Sequence, residues 1–219
     1  MRVIAGTARG RRLQSVPGSG TRPITDRAKE ALFSILQPEL PGARVLDLFA
    51  GTGQVGIEAL SRGAAACDFN ELAPEALKVI QANLVATGLA GPEARLMRRD
   101  AFRLLDSPPQ RPYDLVFVAP PQYKGLWKRA VMALDAACAA WLGPEGLLVV
   151  QIDPREGEDL PLAALVLADR RHYGSVELRF YRPALDDDAD SGAPEARDAA
   201  SAGSEAERPP DARADRTAG

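Results

Sequence analysis

Cysteine and histidine are scarce in this 219-residue chain, which contains two cysteines and one histidine. Cys67 and Cys138 stand alone in separate apolar segments, so neither a disulfide framework nor a cysteine-based zinc site is available. Because His172 is the only imidazole, a histidine-rich metal site is excluded and a nucleophile–histidine pair is not favoured. We therefore expect a protein of a reducing compartment that holds no metal.

Long apolar runs are also missing. No segment approaches the roughly 20 consecutive apolar residues of a membrane span, and the opening MRVIAG is too short for the apolar region of a secretion signal. Apolar residues nevertheless make up 46% of the chain, which is typical of a globular protein and enough for a sizeable core. These features predict a cytoplasmic protein with one core or at most two small ones.

The net charge of −3 hides two oppositely charged regions. From Ala184 onward four arginines stand against ten acidic residues, so this tail carries −6 and residues 1–183 carry +3. The tail has Leu185 as its only large aliphatic side chain, which predicts disorder over residues 184–219.

Basic side chains are concentrated in residues 1–36, where they outnumber acidic ones by five. They are Arg2, Arg9, Arg11, Arg12, Arg22, Arg27 and Lys29. This surplus predicts a surface that faces phosphates, although a solvated charge run has the same composition.

Between the two ends of the chain, strand-like apolar runs alternate with segments of helical periodicity. The predicted strands cover residues 44–48, 65–70, 94–98, 114–118 and 146–152. The helical segments between them are QVGIEALSR, PEALKVIQANLVAT, DAFRLL and LWKRAVMALDAACAAWL. This βαβ series predicts an α/β protein with a parallel sheet covered by helices.

Two segments lie outside this alternation. MRVIAGTARGRRLQSV predicts two short strands around a glycine-containing turn, and TDRAKEALFSIL predicts a helix capped by Thr25 or Asp26. ALVLADRRHYGSVELRFYRP predicts an antiparallel hairpin that turns near Tyr173 and Gly174. We expect this hairpin to close one edge of the sheet.

DLFAGTGQVGIEAL places Gly51, Gly53 and Gly56 between a predicted strand and a predicted helix. Their G-x-G-x-x-G spacing, with Glu71 twenty residues after Gly51, matches a dinucleotide-binding fingerprint. Glycine lets a ligand approach the main chain closely, and the amides at a helix start offer donors to an anion. A tight turn without a ligand has the same pattern.

Acidic residues at three predicted strand ends narrow the choice of cofactor. Asp47 would repel a pyrophosphate but suits a ligand with an ammonium group, such as S-adenosylmethionine. Glu71 can accept hydrogen bonds from both ribose hydroxyls, and Asp100 is placed to meet an adenine amine. The alternative for Asp100 is that it caps the following helix. The sequence therefore predicts S-adenosylmethionine as the cofactor.

With these residues in place, the chain resembles the RsmD family, methyltransferases that modify N2 of a guanine in 16S ribosomal RNA. The motifs behind the resemblance are MRVIAG, RGRRL, TRPITDRAKEALFSIL, VLDLFAGTGQVGIEALSRGA, YDLVFVAPPQY and RHYGSVELRFYRP. The resemblance implies a Rossmann-like methyltransferase domain over residues 37–183 and an RNA-contacting extension over residues 1–36. It implies as partner 16S ribosomal RNA or the assembling small subunit, and we expect a monomer.

The same resemblance assigns roles to individual residues. The implied cofactor residues are Asp47, Gly51, Gly53, Glu71 and Asp100. The predicted RNA contacts are Arg9, Arg11, Arg12, Arg22 and Arg27.

The catalytic prediction lies in VFVAPPQY, where two prolines end the fourth predicted strand because they cannot continue a sheet ladder. In the family this loop reads Asp or Asn, Pro, Pro, Tyr, whereas here it is Ala119, Pro120, Pro121, Gln122 and Tyr123. The family's loop implies two acceptors for the amine hydrogens, a polar side chain and a proline carbonyl, and an aromatic ring that stacks on a flipped base. Ala119 removes one acceptor, and Gln122 is close enough to replace it.

Three other functions remain open from the sequence. Ala119 leaves open a relative that binds cofactor and RNA but no longer transfers a methyl group. The glycine loop with Glu71 is compatible with an NAD-dependent oxidoreductase, although Asp47 and the lack of an evident hydride-transfer acid argue against it. DNA amine methylation uses a similar proline loop, but the chain has no separate target-recognition domain.

Overall fold

A computed structural model gives the fold over residues 1–16 and 25–184, in which seven strands form one sheet. The strands are β1 (Arg44–Asp47), β2 (Ala66–Asn70), β3 (Ala94–Met97), β4 (Tyr113–Val118), β5 (Leu142–Ile152), β6 (Leu165–Tyr173) and β7 (Val176–Pro183). The helices are α1 (Asp26–Leu36), α2 (Gln54–Ser61), α3 (Pro74–Thr87), α4 (Ala101–Leu105), α5 (Leu126–Ala136) and α6 (Cys138–Trp141). Short 3-10 turns cover Gln37–Glu39 and Pro154–Glu156.

The strand order is β3-β2-β1-β4-β5-β7-β6. Strands β1 to β5 are parallel, and β6 and β7 form an antiparallel hairpin that joins the sheet through β5. The α/β class and the edge hairpin are therefore confirmed. The chain winds from β1 towards β3 and then from β4 towards the other edge. Strands β1 and β4 thus lie where the winding reverses, the point at which such sheets bind ligands beyond the carboxyl ends of their strands.

Apolar side chains form one core on each face of the sheet. Helices α1, α2 and α3 cover one face, and α4, α5 and α6 cover the other. Val3, Ala8 and Leu13 are buried in the first of these cores. The N-terminal segment is therefore packed against the sheet domain rather than separate from it.

Two element boundaries differ from the sequence prediction. β5 begins at Leu142 instead of residue 146, because Leu142 pairs with Tyr113 before the register shifts and resumes at Leu147 opposite Leu115. The long helix predicted before β5 is divided into α5 and α6, because Ala137 leaves helical geometry at φ −130° and ψ 34°.

The N-terminal segment contains less strand than predicted. Its two halves meet in a single antiparallel bridge between Arg2 and Arg12, and a loop joins them. By contrast, Thr25 caps α1 as predicted, since its hydroxyl accepts a hydrogen bond from the N–H of Ala28 at 3.2 Å. The tail predicted to be disordered lies, apart from Ala184, outside the described residues. Within the described part of the chain, no helix has the length and apolar character that a membrane crossing requires.

Candidate cofactor and base site

The predicted cofactor residues come together where parallel strands end. Asp47 is the last residue of β1, Glu71 follows β2, and Asp100 lies three residues beyond β3. Ala119 follows β4, the strand that pairs with β1 on its other side. We refer to this side of the sheet as the carboxyl edge. The residues predicted to bind the cofactor and those of the predicted catalytic loop therefore lie on neighbouring strands, where the winding of the sheet reverses.

The glycines between β1 and α2 serve different purposes. Gly51 and Gly53 have φ angles of 54° and 74°, which favour glycine. A Cβ on Gly51 would meet nothing within 4 Å, whereas one on Gly56 would lie 2.3 Å from the ring of Phe69 and 2.6 Å from Cys67 Sγ. The first glycine thus leaves open space for a ligand, and the third lets α2 pack on β2.

Asp47 is a buried carboxylate beneath this loop, with 2% of its surface exposed. Its Oδ2 accepts a hydrogen bond from the N–H of Gly56, in the first turn of α2, at 3.3 Å. Burial, together with the negative charge of Glu71, raises the pKa of Asp47 to about 7, although the hydrogen bond from Gly56 acts in the opposite direction. No cationic side chain of the described residues pairs with Asp47. A buried acid of this kind fits a cationic ligand group.

Glu71 connects the glycine loop with the start of α3. Its Oε2 accepts from the N–H of Gly51 at 2.9 Å, and its Oε1 accepts from the N–H of Ala73 at 2.9 Å. Each carboxylate oxygen has a second lone pair, so both remain able to accept from ribose hydroxyls.

Asp100 caps α4, the alternative that the sequence left open. Its Oδ1 accepts from the N–H groups of Phe102 and Arg103 at 3.0 and 3.1 Å. Its Oδ2 makes no hydrogen bond to any described residue. The adenine contact of Asp100 therefore stays a prediction.

The proline loop leaves β4 at Ala119, which is half-buried against the apolar core of the α1 face. Gln122 is also half-buried, and its side-chain amide makes no hydrogen bond to another described residue. Tyr123 is 62% exposed and has a φ of 59°, the only positive φ of a non-glycine residue in the described ranges. The loop therefore offers an open amide and an exposed ring beside the carboxyl edge.

Two acidic residues that the sequence analysis did not single out contact Tyr123. Its main-chain N–H donates to Glu156 Oε1 at 2.7 Å, and the Asp153 carboxylate near its hydroxyl raises the pKa of the phenol. Asp153 follows β5 directly, so its position after a parallel strand was a usable signal, the same one that identified Asp47. Glu156 carried no signal in the sequence.

The N-terminal segment is held on α2 by the buried carboxylate of Glu58. This side chain accepts from the N–H groups of Ile4 and Ala5 at 2.8 and 3.0 Å and lies 3.6 Å from the ammonium group of Lys29. Burial of Lys29 lowers its pKa despite the attraction of Glu58. The sequence analysis did not single out Glu58, although a lone acid within the otherwise apolar QVGIEAL was a possible signal.

Asn83 brings the same segment to the glycine loop. Its Oδ1 accepts from the N–H of Gln14 at 2.7 Å, and its Nδ2 donates to the carbonyl of Thr52 at 3.0 Å. Residues 1–16 thus pass beside the predicted cofactor site.

The structure describes four of the five arginines that were predicted to bind RNA. Arg9, Arg11, Arg12 and Arg27 are exposed, and their side chains form no ion pair with a described residue. Arg22 lies outside the described residues. The four described arginines are therefore available to an anionic partner.

Comparisons with known proteins agree with this arrangement. A family model described as conserved hypothetical protein 95 matches residues 1–182. Ribosomal RNA small subunit methyltransferase D of Escherichia coli K12 is 35% identical over 191 residues, covering 87% of this chain and 94% of the relative. The protein of the same name from Haemophilus influenzae is 34% identical over 187 residues, covering 83% of this chain and 93% of the relative. The solved structure of the Escherichia coli yhhF protein has a TM-score of 0.73 at 34% identity, covering 84% of this chain and 97% of that one.

Proposed function

The chain belongs to the family described as conserved hypothetical protein 95, the RsmD family, and from this premise we propose that it transfers a methyl group from S-adenosylmethionine to N2 of a guanine in 16S ribosomal RNA. The resemblance seen in the sequence motifs is confirmed. The relatives are named as ribosomal RNA methyltransferases, which does not support the alternative of an inactive binding protein.

The cofactor assignment is supported mainly by the environment of Asp47. A buried carboxylate that has no cationic partner among the described residues, beside an open glycine loop, fits the ammonium group of S-adenosylmethionine. Gly51 would give the ligand room, Gly53 would shape the same loop through its φ of 74° and its close packing on Ile80, and Glu71 would accept from the ribose hydroxyls. The bound cofactor supplies an electrophilic methyl sulfonium, and Asp100 would meet its adenine.

The proline loop would hold the base. The main-chain carbonyls of Ala119 and Pro120 and the amide oxygen of Gln122 are the acceptors available to the two hydrogens of the guanine amine. Such acceptors localise the nitrogen lone pair that is otherwise delocalised into the ring. Pro121 stiffens the loop, and Tyr123 supplies a ring on which an extruded base can stack.

No general base with a shifted pKa is required by this scheme, because the amine proton can leave after the methyl group has been transferred. The contribution of the protein is to position the amine and to present acceptors that are already oriented.

Residues 1–16 and α1 would contact the RNA backbone. Arg9, Arg11, Arg12 and Arg27 are exposed, and the segment that carries the first three is fixed beside the glycine loop by Glu58 and by Asn83. Arg22 is included in the proposal by its sequence position alone. The partner is 16S ribosomal RNA, free or in an assembling small subunit, and the protein would act as a monomer.

The test is methyl transfer to small subunits from cells that lack this protein. With labelled S-adenosylmethionine, the parent should place label in N2-methylguanine of 16S ribosomal RNA, as identified by mass spectrometry. Subunits from cells that contain the protein are the control and should accept little label. An absence of transfer to both free RNA and subunits would contradict the proposal.

A further inference from the structure

Tyr123 has a backbone conformation that an aromatic residue rarely adopts. Its φ of 59° lies in the left-handed region, where the Cβ of an L-residue approaches the following carbonyl. Such a residue persists only where its surroundings hold it, and residues of this kind are concentrated at functional sites. The ring is nevertheless 62% exposed, so burial does not hold it.

The turn that follows β5 contacts both the main chain and the side chain of Tyr123. Glu156 accepts the main-chain N–H of Tyr123 at 2.7 Å, and the carboxylate of Asp153 lies near the phenol and raises its pKa. Asp153 also accepts from the N–H of Arg155 at 3.0 Å, which fixes its carboxylate in the turn. We call residues 153–156 the acidic turn.

A buried arginine fixes the chain that continues from the acidic turn. Arg179 of β7 is 1% exposed and donates through Nη1 to the carbonyl of Glu158. A Cβ on Gly157 would lie 2.6 Å from Arg179 Nη2, so the main chain approaches the guanidinium closely. Glu177 pairs with Arg179, and the ring of Trp127 in α5 lies 5.1 Å from the guanidinium. The acidic turn is therefore supported from both β7 and α5.

We propose that Glu156 and Asp153 are positioning residues that hold Tyr123 as a preformed stacking surface for the target base, an inference that rests on the proposed function. An exposed ring whose main chain is hydrogen-bonded to Glu156 and whose hydroxyl lies near Asp153 loses little freedom when a base stacks on it, so more of the stacking energy favours the extruded base. In this chain the aromatic residue comes one position later than in the family's Pro-Pro-Tyr motif. The acidic turn fixes its ring in this later position.

The first test compares two substitutions of Glu156 in methyl transfer to unmethylated small subunits. Glu156→Ala should lower kcat/KM by about 5- to 100-fold, the range expected when one base–aromatic stack is lost, with most of the change in KM for the subunit. Glu156→Gln keeps an oxygen acceptor for the Tyr123 N–H and should stay within about threefold of the parent. Cofactor affinity should not change in either variant. Glu145→Ala, at an exposed acid near the opposite end of β5, is the control.

A double-mutant cycle decides whether Glu156 acts through Tyr123. Glu156→Ala should cause no further loss in a Tyr123→Ala background, because the ring that it positions is already gone. Losses that multiply in the double variant would overturn the proposal, as would a Glu156→Gln variant as impaired as Glu156→Ala.

The second test does not depend on methyl transfer. NMR of protein labelled at the tyrosine Cζ gives the titration of Tyr123, assigned with Tyr123→Phe. Asp153→Asn should lower the pKa of Tyr123, because the neutral amide no longer favours the protonated phenol. If the titration of Tyr123 is unchanged in an active Asp153→Asn enzyme, the positioning role of the acidic turn is overturned, but the proposed function is not. A parent without transfer activity would overturn the proposed function, and the stacking role with it.

Discussion

The carboxylate of Asp47 accepts a hydrogen bond from the main-chain N–H of Gly56 at 3.3 Å, across the turn that joins β1 to α2. This one neutral donor does not offset the burial of the carboxylate, and the pKa of Asp47 is raised to about 7. Asp47 would recognise the ammonium group of the cofactor. Without a ligand, however, it ionises less readily than an ordinary carboxyl group. Two predictions concern this residue.

Asp47→Asn should stabilise the protein without ligand at pH 8 and much less at pH 5. The folded-state pKa of about 7 lies above the ordinary value of 3.8, so the folded protein binds the proton more tightly than the unfolded chain does. Stability therefore falls as pH rises from about 4 to about 7. Asparagine cannot ionise and still offers Gly56 an oxygen. The difference in the free energy of unfolding between variant and parent should grow by about 2–3 kcal/mol from pH 5 to pH 8 in urea titrations. A difference that does not depend on pH would contradict the buried titration.

Binding of S-adenosylmethionine should depend on the same ionisation. Because the ligand's ammonium group favours the carboxylate form, affinity should rise with pH up to about 7 and fall again above about 8, where an α-amino group loses its proton. Asp47→Ala should abolish binding, and NAD should bind far more weakly than S-adenosylmethionine to the parent. Isothermal titration measures these affinities, with Asp106→Asn, at an exposed acid next to α4, as control. Unchanged affinity in Asp47→Ala would remove this residue from the site.

Sequence periodicity predicted the sheet, the edge hairpin and the position of Asp47, because each depends on residues that are close in the chain. The contacts of Tyr123 with Glu156 and of Glu58 with Ile4 join residues 33 and 54 positions apart. No local pattern records such pairs, so the acidic turn and the attachment of the N-terminal segment were not predicted. The early start of β5 was missed for a related reason, since only its pairing with β4 makes Leu142 part of a strand.

Replacement of Tyr123 should separate backbone strain from the function of the ring. Tyr123→Gly and Tyr123→Ala both remove the ring, but only glycine adopts a φ of 59° without steric conflict. The glycine variant should therefore be more stable than the alanine variant by about 1 kcal/mol, the lower end of the cost of a left-handed L-residue. Thermal unfolding gives the comparison, and both variants should be impaired in transfer. An alanine variant as stable as the glycine variant would mean that the loop relaxes out of the left-handed conformation.

The N-terminal arginines should determine the salt dependence of RNA binding. If Arg9, Arg11 and Arg12 each neutralise a phosphate, replacing all three with glutamine should lower the slope of log affinity against log salt by about 2 to 3. Cofactor affinity should stay the same. Arg95→Gln with Arg111→Gln removes exposed charge near the amino ends of β3 and β4, away from the site, and serves as control. If the slope is unaltered in the triple variant, these arginines are solvated surface charges that do not contact phosphates.

Gln122 should supply the acceptor that Ala119 cannot. Its amide is half-buried and has no hydrogen-bond partner among the described residues. It lies in the same loop as Ala119, the position at which the family has Asp or Asn. Gln122→Ala should therefore lower kcat by about 10- to 1,000-fold, as expected for an oriented hydrogen bond made mainly in the transition state, and should change RNA and cofactor affinity little. Ala119→Asp should restore transfer in the Gln122→Ala background, because it returns an acceptor to the position the family uses. Failure of that rescue would mean that the loop aims residue 119 away from the amine. Transfer by Gln122→Ala at the parent's rate would instead leave the carbonyls of Ala119 and Pro120 as the acceptors that matter.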